Sequence, residues 1–287
     1  MKRISSSDGY FCGWYFRCQS ERQTIALIPA IHIERGERTG SIQLISSDGC
    51  WHVPLSGGDV SANAPRAALE ENCFHEDLLR LNLHTDSVAA AGMLRFDAHT
   101  PLRYDIMGPF RAVPFMECRH SVFSMRHRVN GRLRINGTDY DFINADGYIE
   151  GDRGRSFPRQ YAWTQCFFAG GSLMLSVAEI PFGPFRFTGV IGVVCLSGRE
   201  YRLATYLGAR VLKCRGGELV IRQGSMTLRA ALLSKSACML HAPENGSMTR
   251  LIRENAACRA RYALTRGDRT LLSLEADNAA FEYEYGE

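Results

Sequence analysis

The sequence predicts an all-β protein whose short antiparallel strands form a sandwich or a barrel. The first observation is alternation, because apolar and polar residues alternate with a period of two along much of the chain. The second is composition, since 27 glycines and 10% aromatic residues favour short strands with tight turns. The third is the regular spacing of turn signals, which is typical of sandwiches and barrels rather than of βαβ units.

The predicted elements follow from these patterns in chain order. The predicted strands are Thr24–Ile33, Ser41–Ile45, Val88–Phe96, Ser121–Val129, Tyr161–Phe168, Leu173–Ile180, Phe187–Val194, Tyr201–Leu207, Val211–Arg215, Leu219–Gln223, Met226–Leu233 and Arg259–Thr265. The predicted turns are Ser47-Asp48-Gly49, Asn130-Gly131, Asn136-Gly137, Gly216-Gly217, Asn245-Gly246 and Arg266-Gly267-Asp268. One helix is predicted over Pro65–Phe74, because Asn63 lies near its N-cap and Pro65 in its first turn.

The length of 287 residues suits one large or two ordinary domains, each able to bury a core. The boundary is predicted within Phe142–Asp152, because similar amounts of strand-forming sequence lie on either side. We therefore predict an N-terminal β domain over 1–145 and a C-terminal β-barrel domain over 146–287, sharing an interface.

The charge balance gives little support for a nucleic-acid partner. The net charge is only +4, and no nucleic-acid motif is present. The densest basic run contains Arg126, Arg128, Arg132 and Arg134, flanking the predicted Asn130-Gly131 turn. It is interpreted as a solvated face, with a phosphate or peripheral membrane contact as the alternative.

Cysteine usage indicates a cytoplasmic protein with reduced, mostly buried thiols. None of the ten cysteines forms a Cys-x-x-Cys pair, and the polar segment Met1–Tyr10 has no signal-peptide pattern. The longest apolar run, around Val190–Leu196, is too short to span a bilayer. The Gly-x-Gly-x-x-Gly, Walker, His-Glu-x-x-His and Gly-x-Ser-x-Gly motifs are absent, which argues against common nucleotide, zinc-protease and α/β-hydrolase chemistries. No cofactor is predicted, because the cyclisation considered below needs none.

The segment Glu117–Phe142 is unusual for a strand, because neither of its faces is cleanly apolar. Such a strand could line a mixed cavity, with Glu117 and His120 as candidate catalytic residues. Alternatively, Glu117 and Arg119 form a structural ion pair. His120 and His127 fall on opposite faces, so no metal site is predicted here.

The first half of the segment Gly147–Gln165 contains too many glycines and charged residues for a simple strand. Its second half is predicted to be a strand with three large polar or aromatic side chains on one face. It suits either the mouth of a barrel or a tight inter-domain turn. It also resembles a motif of the tocopherol cyclase family, Gly-Tyr-x-Glu-Lys-Asp/Asn-Trp-Gly-x-x-Phe-Pro followed by aromatic-x-Trp-x-Gln. The matching residues are Gly147, Tyr148, Glu150, Asp152, Gly154, Phe157, Pro158, Tyr161, Trp163 and Gln165.

The resemblance extends over roughly residues 13–170, because Gly13–Arg17 and Ala26–Pro29 look like the family's N-terminal segments. It implies two lipocalin-like β units and a cofactor-free isomerase that cyclises an isoprenoid substrate such as a prenyl quinol. Two positions depart from the motif: the family's Lys is Gly151 here, and its Trp is Arg153. If that Trp shields a cation in the cyclases, the role is missing here or is taken by another residue.

Acid-catalysed cyclisation needs a buried acid, aromatic faces within about 6 Å of the cation, and exclusion of water. Glu150 and Asp152 are the favoured acids because they lie in the matched motif, with Glu117 as a further acid and His120 as a proton partner. The predicted substrate-binding residues are Trp14, Tyr148, Phe157, Tyr161, Trp163 and Gln165.

Three functions remain open from the sequence. The chain is predicted to be a cyclase of a prenylated or polyene lipid, a non-catalytic carrier of a hydrophobic small molecule, or another cofactor-free enzyme such as a hydratase or pericyclase. A buried acid near the centre of an apolar cavity would distinguish the enzymes from the carrier. The oligomeric state and the ligand's identity do not follow from the sequence.

Overall fold

In the computed structural model, the described residues are 9–113, 116–182, 185–234 and 238–285, and they form two antiparallel sheets. The strands of the first sheet are β1 (Tyr10–Gln19), β2 (Thr24–Glu34), β3 (Glu37–Ser46), β4 (Gly49–Leu55), β5 (Asp59–Val60), β6 (Ala67–Leu69), β7 (Asn72–Phe74), β8 (Leu78–His84), β9 (Ala89–Asp97), β10 (Cys118–Ile135) and β11 (Thr138–Gly154). Their order in the sheet is β4-β3-β2-β1-β11-β10-β9-β8-β7-β6-β5.

The second sheet continues from β12 to the end of the described chain. Its strands are β12 (Tyr161–Phe168), β13 (Gly171–Phe182), β14 (Phe185–Leu196), β15 (Arg199–Ala204), β16 (Arg210–Arg215), β17 (Glu218–Gln223), β18 (Met226–Leu232), β19 (Cys238–Glu244), β20 (Ser247–Arg266) and β21 (Arg269–Tyr283). Their order is β15-β14-β13-β12-β21-β20-β18-β17-β16, with β19 paired to β20. Short 3₁₀ turns occupy Gly108–Ala112 and Thr205–Leu207, and within the described ranges no helix is long and apolar enough to cross a membrane.

The chain divides into two compact units. Among the described residues, unit 1 comprises 9–105, 116–157 and 240–251, and unit 2 comprises 106–113, 158–182, 185–234, 238–239 and 252–285. The predicted boundary between residues 145 and 146 falls inside β11, which lies entirely in unit 1. The long passage of the chain into unit 2, which begins at residue 158, comes after β11 has paired with β1 and β10.

Each sheet curls around one apolar core. In unit 1, Ile42 of β3 and Ala67 of β6 belong to the same buried cluster, although their strands lie near opposite ends of the sheet. An ion pair of 3.0 Å between Arg38 and Asp59 also joins those ends. In unit 2, the Gln223 amide of β17 hydrogen-bonds the backbone of β15. The all-β prediction is confirmed, and the architecture is two lipocalin-like antiparallel units.

Two local predictions are wrong. The predicted helix Pro65–Phe74 is instead the hairpin of β6 and β7, because Ala67 and Leu69 are buried while Ala68 is exposed, a period of two. Glu70 makes the turn with a φ of 52°. The predicted turn at Asn130-Gly131 lies within β10, where the register shifts.

Gly131 is required at that shift for a steric reason. Its φ is 135°, and a Cβ there would lie 2.3 Å from the carbonyl oxygen of Met93 on the neighbouring strand. The basic run around it is neutralised by ion pairs: Arg126 with Asp146 at 2.5 Å, Arg128 with Asp97 at 2.7 Å. Arg132 also pairs with Asp141, and Arg134 with Asp139. This run is therefore a face of paired charges.

The start of the Gly147–Gln165 segment is a regular strand, contrary to the sequence interpretation. Its glycines are accommodated because rings from neighbouring strands cover them. A Cβ on Gly147 would lie 2.1 Å from His127 Nε2, and one on Gly151 would lie 2.6 Å from Trp14 Cε3. Large side chains on the adjacent strands thus fill the space that a glycine leaves in a sheet.

Candidate functional site

The candidate site lies on the face of β11 that points away from the core of unit 1. Ile149 belongs to the apolar core, and Gly151 shares its face, since side chains alternate along a strand. Tyr148, Glu150 and Asp152 therefore project together from the opposite face. Glu150 is 5% exposed and Tyr148 is fully buried, so this second face is also shielded from water.

Strand β10 brings His120 to these acids. His120 stands directly opposite Asp152 in the antiparallel register, and opposed residues share a face of the sheet. The imidazole Nδ1 lies 3.0 Å from Asp152 Oδ1, and Nε2 lies 3.1 Å from Glu150 Oε2. A single imidazole thus bridges two carboxylates through its two nitrogens, which makes it the centre of the site.

Two further donors extend the group at its ends. The Tyr148 hydroxyl donates a 2.6 Å hydrogen bond to Glu150 Oε2, and the Cys118 thiol donates to Asp152 Oδ1 at 3.4 Å. We call Tyr148, Glu150, His120, Asp152 and Cys118 the relay group. The Asp152 side chain is 23% exposed against 7% for that of Glu150, so the group runs from the interior toward a more accessible end.

Electrostatics place a proton on His120. Burial alone would lower its pKa, but the charges and hydrogen bonds of Asp152 and Glu150 outweigh burial and raise the pKa well above its usual value. Burial and the nearby Glu150 raise the pKa of Tyr148, while burial and Asp152 raise that of Cys118. At neutral pH the site therefore contains an imidazolium, a phenol and a thiol around two carboxyl groups.

The spacing of the site would also admit a metal ion. One ligand atom from each of His120, Glu150 and Asp152 lies within 4.8 Å of the others. The alternation of the sequence puts His120 and His127 on opposite faces, and the structure places His127 elsewhere on β10, with its ring 4.9 Å from that of His99. Because each His120 nitrogen already lies within 3.1 Å of a carboxylate oxygen, a metal would have to displace the imidazole from one of these contacts.

The other predicted residues of unit 1 lie outside the relay group. Trp14 is on the core face, where its indole N–H donates to the Ser61 carbonyl at 2.7 Å. Phe157 packs edge-on against Phe11 with ring centroids 5.4 Å apart. Glu117 precedes β10, and its carbonyl oxygen accepts a 2.8 Å hydrogen bond from the backbone N–H of Arg155.

The remaining predicted residues belong to unit 2. Tyr161, Trp163 and Gln165 share the face of β12 opposite to the apolar core that includes Ala162. The Tyr161 hydroxyl donates a 2.5 Å hydrogen bond to Glu282 of β21. All three are buried. The structure therefore gives unit 2 its own tyrosine–carboxylate pair.

Both departures from the family motif lie on the core face of β11. The Trp14 ring occupies the space above Gly151, where a larger side chain would clash. Arg153 donates from Nη1 to the Ala62 carbonyl at 2.6 Å and to Ser121 Oγ at 3.4 Å. The replaced positions therefore face away from Glu150 and Asp152, on the other side of the sheet.

Sequence reasoning missed Cys118 and Glu282. Cys118 lies two positions before His120 and so shares its face, a signal that the alternation already contained. Glu282 could not be placed because β21 was not among the predicted strands. Its role depends on the pairing of β21 with β12, in which it stands opposite Trp163.

The curled sheets, each with its own core, define a protein of two lipocalin-like units. Three solved structures are similar over most of this chain. CghA with Sch210972 has a TM-score of 0.61 at 9% identity, covering 96% of this chain and 88% of that one. A putative AttH from Nitrosomonas europaea has 0.53 at 11%, covering 99% and 95%. Kievitone hydratase from Nectria haematococca has 0.54 at 9%, covering 96% and 89%.

At these identities the similarity establishes the fold alone. No protein-family model matches the sequence, and no curated protein matches it. The tocopherol cyclase resemblance therefore remains an interpretation of the motif residues.

Proposed function

We propose that the chain is a cofactor-free enzyme that moves protons on a lipophilic small molecule, with the relay group as its catalytic centre. The observation that carries this proposal is His120, whose two nitrogens bridge the carboxyl groups of Glu150 and Asp152. A buried imidazolium between two carboxylates is a ready proton donor and acceptor pair. Tyr148, hydrogen-bonded to Glu150, places a further polar proton at the inner end.

The finer proposal is ring closure of a prenylated or polyene substrate that bears a hydroxyl group, as in the tocopherol cyclase family. Such a cyclisation is an isomerisation, because the proton lost from the hydroxyl equals the proton gained at carbon. The new C–O bond forms from the hydroxyl oxygen while the alkene π bond is consumed. A relay that accepts a proton at one carboxylate and returns one from another through His120 needs no external reactant.

The protonated state of His120 determines which of two steps of the cyclisation the relay group assists better: protonation of the alkene or removal of the hydroxyl proton. An imidazolium whose pKa is raised is a weaker acid than a neutral carboxyl group, and protonating an unactivated alkene demands a strong acid. The relay group therefore suits removal of the hydroxyl proton, with Glu150 or Asp152 as base. Alkene protonation would require His120 to pass its proton first to one of these carboxylates.

The substrate class rests on the motif resemblance and on the burial of the site. Glu150 and Tyr148 are shielded from water. A cyclase needs such shielding, because water would otherwise react with the carbocation before the ring closes. The names of two similar structures also support a small-molecule substrate, because one is a hydratase and one was determined with Sch210972. A prenyl quinol or related lipid is the proposed substrate, and a cytoplasmic enzyme with peripheral membrane contact would meet it.

Two alternatives predict different outcomes. A carrier would bind the same lipophilic ligand without turning it over, and Glu150→Gln would leave the bound ligand unchanged. A hydratase or pericyclase on this fold would also be cofactor-free. A hydratase would add water to the alkene, so its product would be heavier than the substrate by one water.

The test has two stages. Native mass spectrometry of the protein purified from its host identifies the lipid that copurifies. Incubation with a prenylated hydroquinone should then give a product of unchanged mass, the chromanol, and Glu150→Gln should abolish it. Equal product from the variant would refute the role of Glu150. Absence of any product, with ligand still bound, would instead support the carrier.

A further inference from the structure

A second histidine cluster in unit 1 lies apart from the relay group. It contains His32 of β2, His52 of β4 and His241 of β19. The imidazole rings of His52 and His241 lie with centroids 4.4 Å apart and planes inclined by 30°. His32 is 5% exposed and lies close enough to His52 for the two rings to interact electrostatically. The proposed function gives these three side chains no role.

The sheet and one side chain bring these residues together. His52 stands opposite Gln43 in the register of β3 and β4, so the two share a face. The Gln43 amide hydrogen-bonds both backbone groups of His241, donating to its carbonyl at 2.9 Å and accepting from its N–H at 2.7 Å. Gln43 is 3% exposed. This buried two-point contact fixes the His241 backbone beside the His52 ring.

The hydrogen bonds of the imidazoles leave nitrogens available. His241 Nδ1 lies 3.0 Å from the Met248 carbonyl, an arrangement that makes Nδ1 the donor and leaves the Nε2 lone pair for a ligand. His52 Nε2 and His32 Nδ1 are buried without a hydrogen-bond partner. His32 uses its other nitrogen on Ser41 Oγ at 3.0 Å. Buried polar nitrogens normally have partners, so these point to a missing ligand.

We propose that His52 and His241 bind a transition-metal ion of the zinc class, with water completing the coordination shell. Neutral imidazole nitrogen is a preferred ligand of zinc, copper and nickel. The backbone carbonyl behind His241 is the outer partner that metal-binding histidines usually have. The His99–His127 pair lacks such outer partners, because all four of its ring nitrogens are buried without one.

A metal ion here would join β4 to β19, the strand that leads into the tip of the β19–β20 hairpin. The tip is already held to the segment after β11, because the Asn245 N–H donates to Ser156 Oγ at 2.8 Å and the Phe157 N–H donates to the Pro243 carbonyl at 3.1 Å. A metal bound by His52 and His241 would add a second link, from β19 to β4 at the end of the first sheet. The site is thus proposed to stabilise this hairpin tip.

The experiment is calorimetric titration of the full chain with Zn²⁺ at pH 7. One ion per chain is expected, with affinity reduced at least about tenfold in His52→Gln and in His241→Gln, since each removes half of the protein ligands. His84→Ala, which removes an exposed histidine outside the cluster, is the matched control and should bind normally. Zinc at ten times its dissociation constant should raise Tm by about 3 °C.

Two readouts on the wild-type chain keep the proposal testable if a variant fails to fold. Zinc should slow hydrogen exchange in residues 240–251 and should shift the ring resonances of His52 and His241. No binding, unchanged binding in both variants, or loss of binding only in His120→Gln would overturn the proposal. The last result would assign the ion to the relay group.

Discussion

Each unit contains a buried tyrosine that donates a hydrogen bond to a buried glutamate, and the surroundings of the two pairs differ. In unit 1, Tyr148 donates to Glu150 at 2.6 Å, and in unit 2, Tyr161 donates to Glu282 at 2.5 Å. Both pairs lie on the strand face opposite to the apolar core of their own unit. The pair in unit 1 continues through His120 to Asp152. The pair in unit 2 stands opposite another buried glutamate, Glu254.

The distribution of histidine explains why the pairs are not equivalent. All eight histidines of the chain fall in unit 1, so unit 2 has no side chain whose ordinary pKa lies near neutrality. Unit 2 therefore supplies no imidazole to its own tyrosine–glutamate pair. The same pair with an imidazole between two carboxyl groups can exchange protons at pH 7. We infer that the histidine, more than the acids, marks the candidate active site.

The largest expected effect separates the two pairs by activity. Glu150→Gln keeps the size of the side chain but removes its proton-accepting charge, so turnover of a prenylated hydroquinone should fall by about 100-fold or more. Glu282→Gln makes the same change in unit 2 and should leave kcat within a fewfold of the wild type. Steady-state kinetics of both variants measure these losses. Equal losses of kcat would contradict the assignment of the catalytic role to the pair in unit 1.

Stability should not distinguish the pairs. Tyr148→Phe and Tyr161→Phe each remove one hydroxyl and its hydrogen bond to a buried carboxyl group, which costs about 1–3 kcal/mol. Urea unfolding of the two variants should therefore give similar losses. A loss confined to one variant would mean that only one of the pairs supports the fold.

The glycine within the relay strand gives a sharper structural test. Gly151→Ala would place a Cβ 2.6 Å from the Trp14 ring and should cost about 1–3 kcal/mol through overpacking. Gly189→Ala in β14 of unit 2 is the matched control, since its nearest atom is the flexible Ile180 side chain at 3.1 Å. Thermal unfolding should show the smaller loss for Gly189→Ala. Because Gly151 faces the core, its variant should leave the His120 resonances in place.

The pH dependence of stability gives the smallest effect. The folded pKa of His120 is raised above its unfolded value of about 6.5, so its contribution is fully present below that pH and is lost as pH rises through the folded value. The stability advantage of the wild type over His120→Gln should therefore shrink as the pH rises above about 6.5. Urea titrations across that range measure it, and an advantage that grows with pH would reverse the assigned sign.

Much of the fold could be predicted from the sequence, because alternation and turn chemistry are local signals. The strand predicted over Tyr161–Phe168 has the bounds of β12, and the turns at Asn136-Gly137 and Gly216-Gly217 join neighbouring strands. The helix prediction failed because a proline and a capping residue are compatible with a hairpin when the apolar period is two. β11 was missed because its glycines are covered by rings from strands that are distant in sequence.

The site could be predicted only in part. Glu150, Asp152 and His120 were named from motif and residue type, and the structure brings them together through the β10–β11 register. The predicted aromatic residues are spread over both faces and both units, because Trp14 lies on the core face away from Glu150 and Tyr161 belongs to unit 2. Register between strands is a long-range property, so a linear motif could not reveal this separation.

The protonation state of His120 is the measurement that tests the relay group most directly. NMR titration of the chain with isotope-labelled histidine reports the charge of each ring. We predict that His120 is a doubly protonated imidazolium at pH 7 and titrates well above about 6.5, and that Glu150→Gln lowers its pKa. A neutral His120 ring at pH 7 in the wild-type protein would contradict the account.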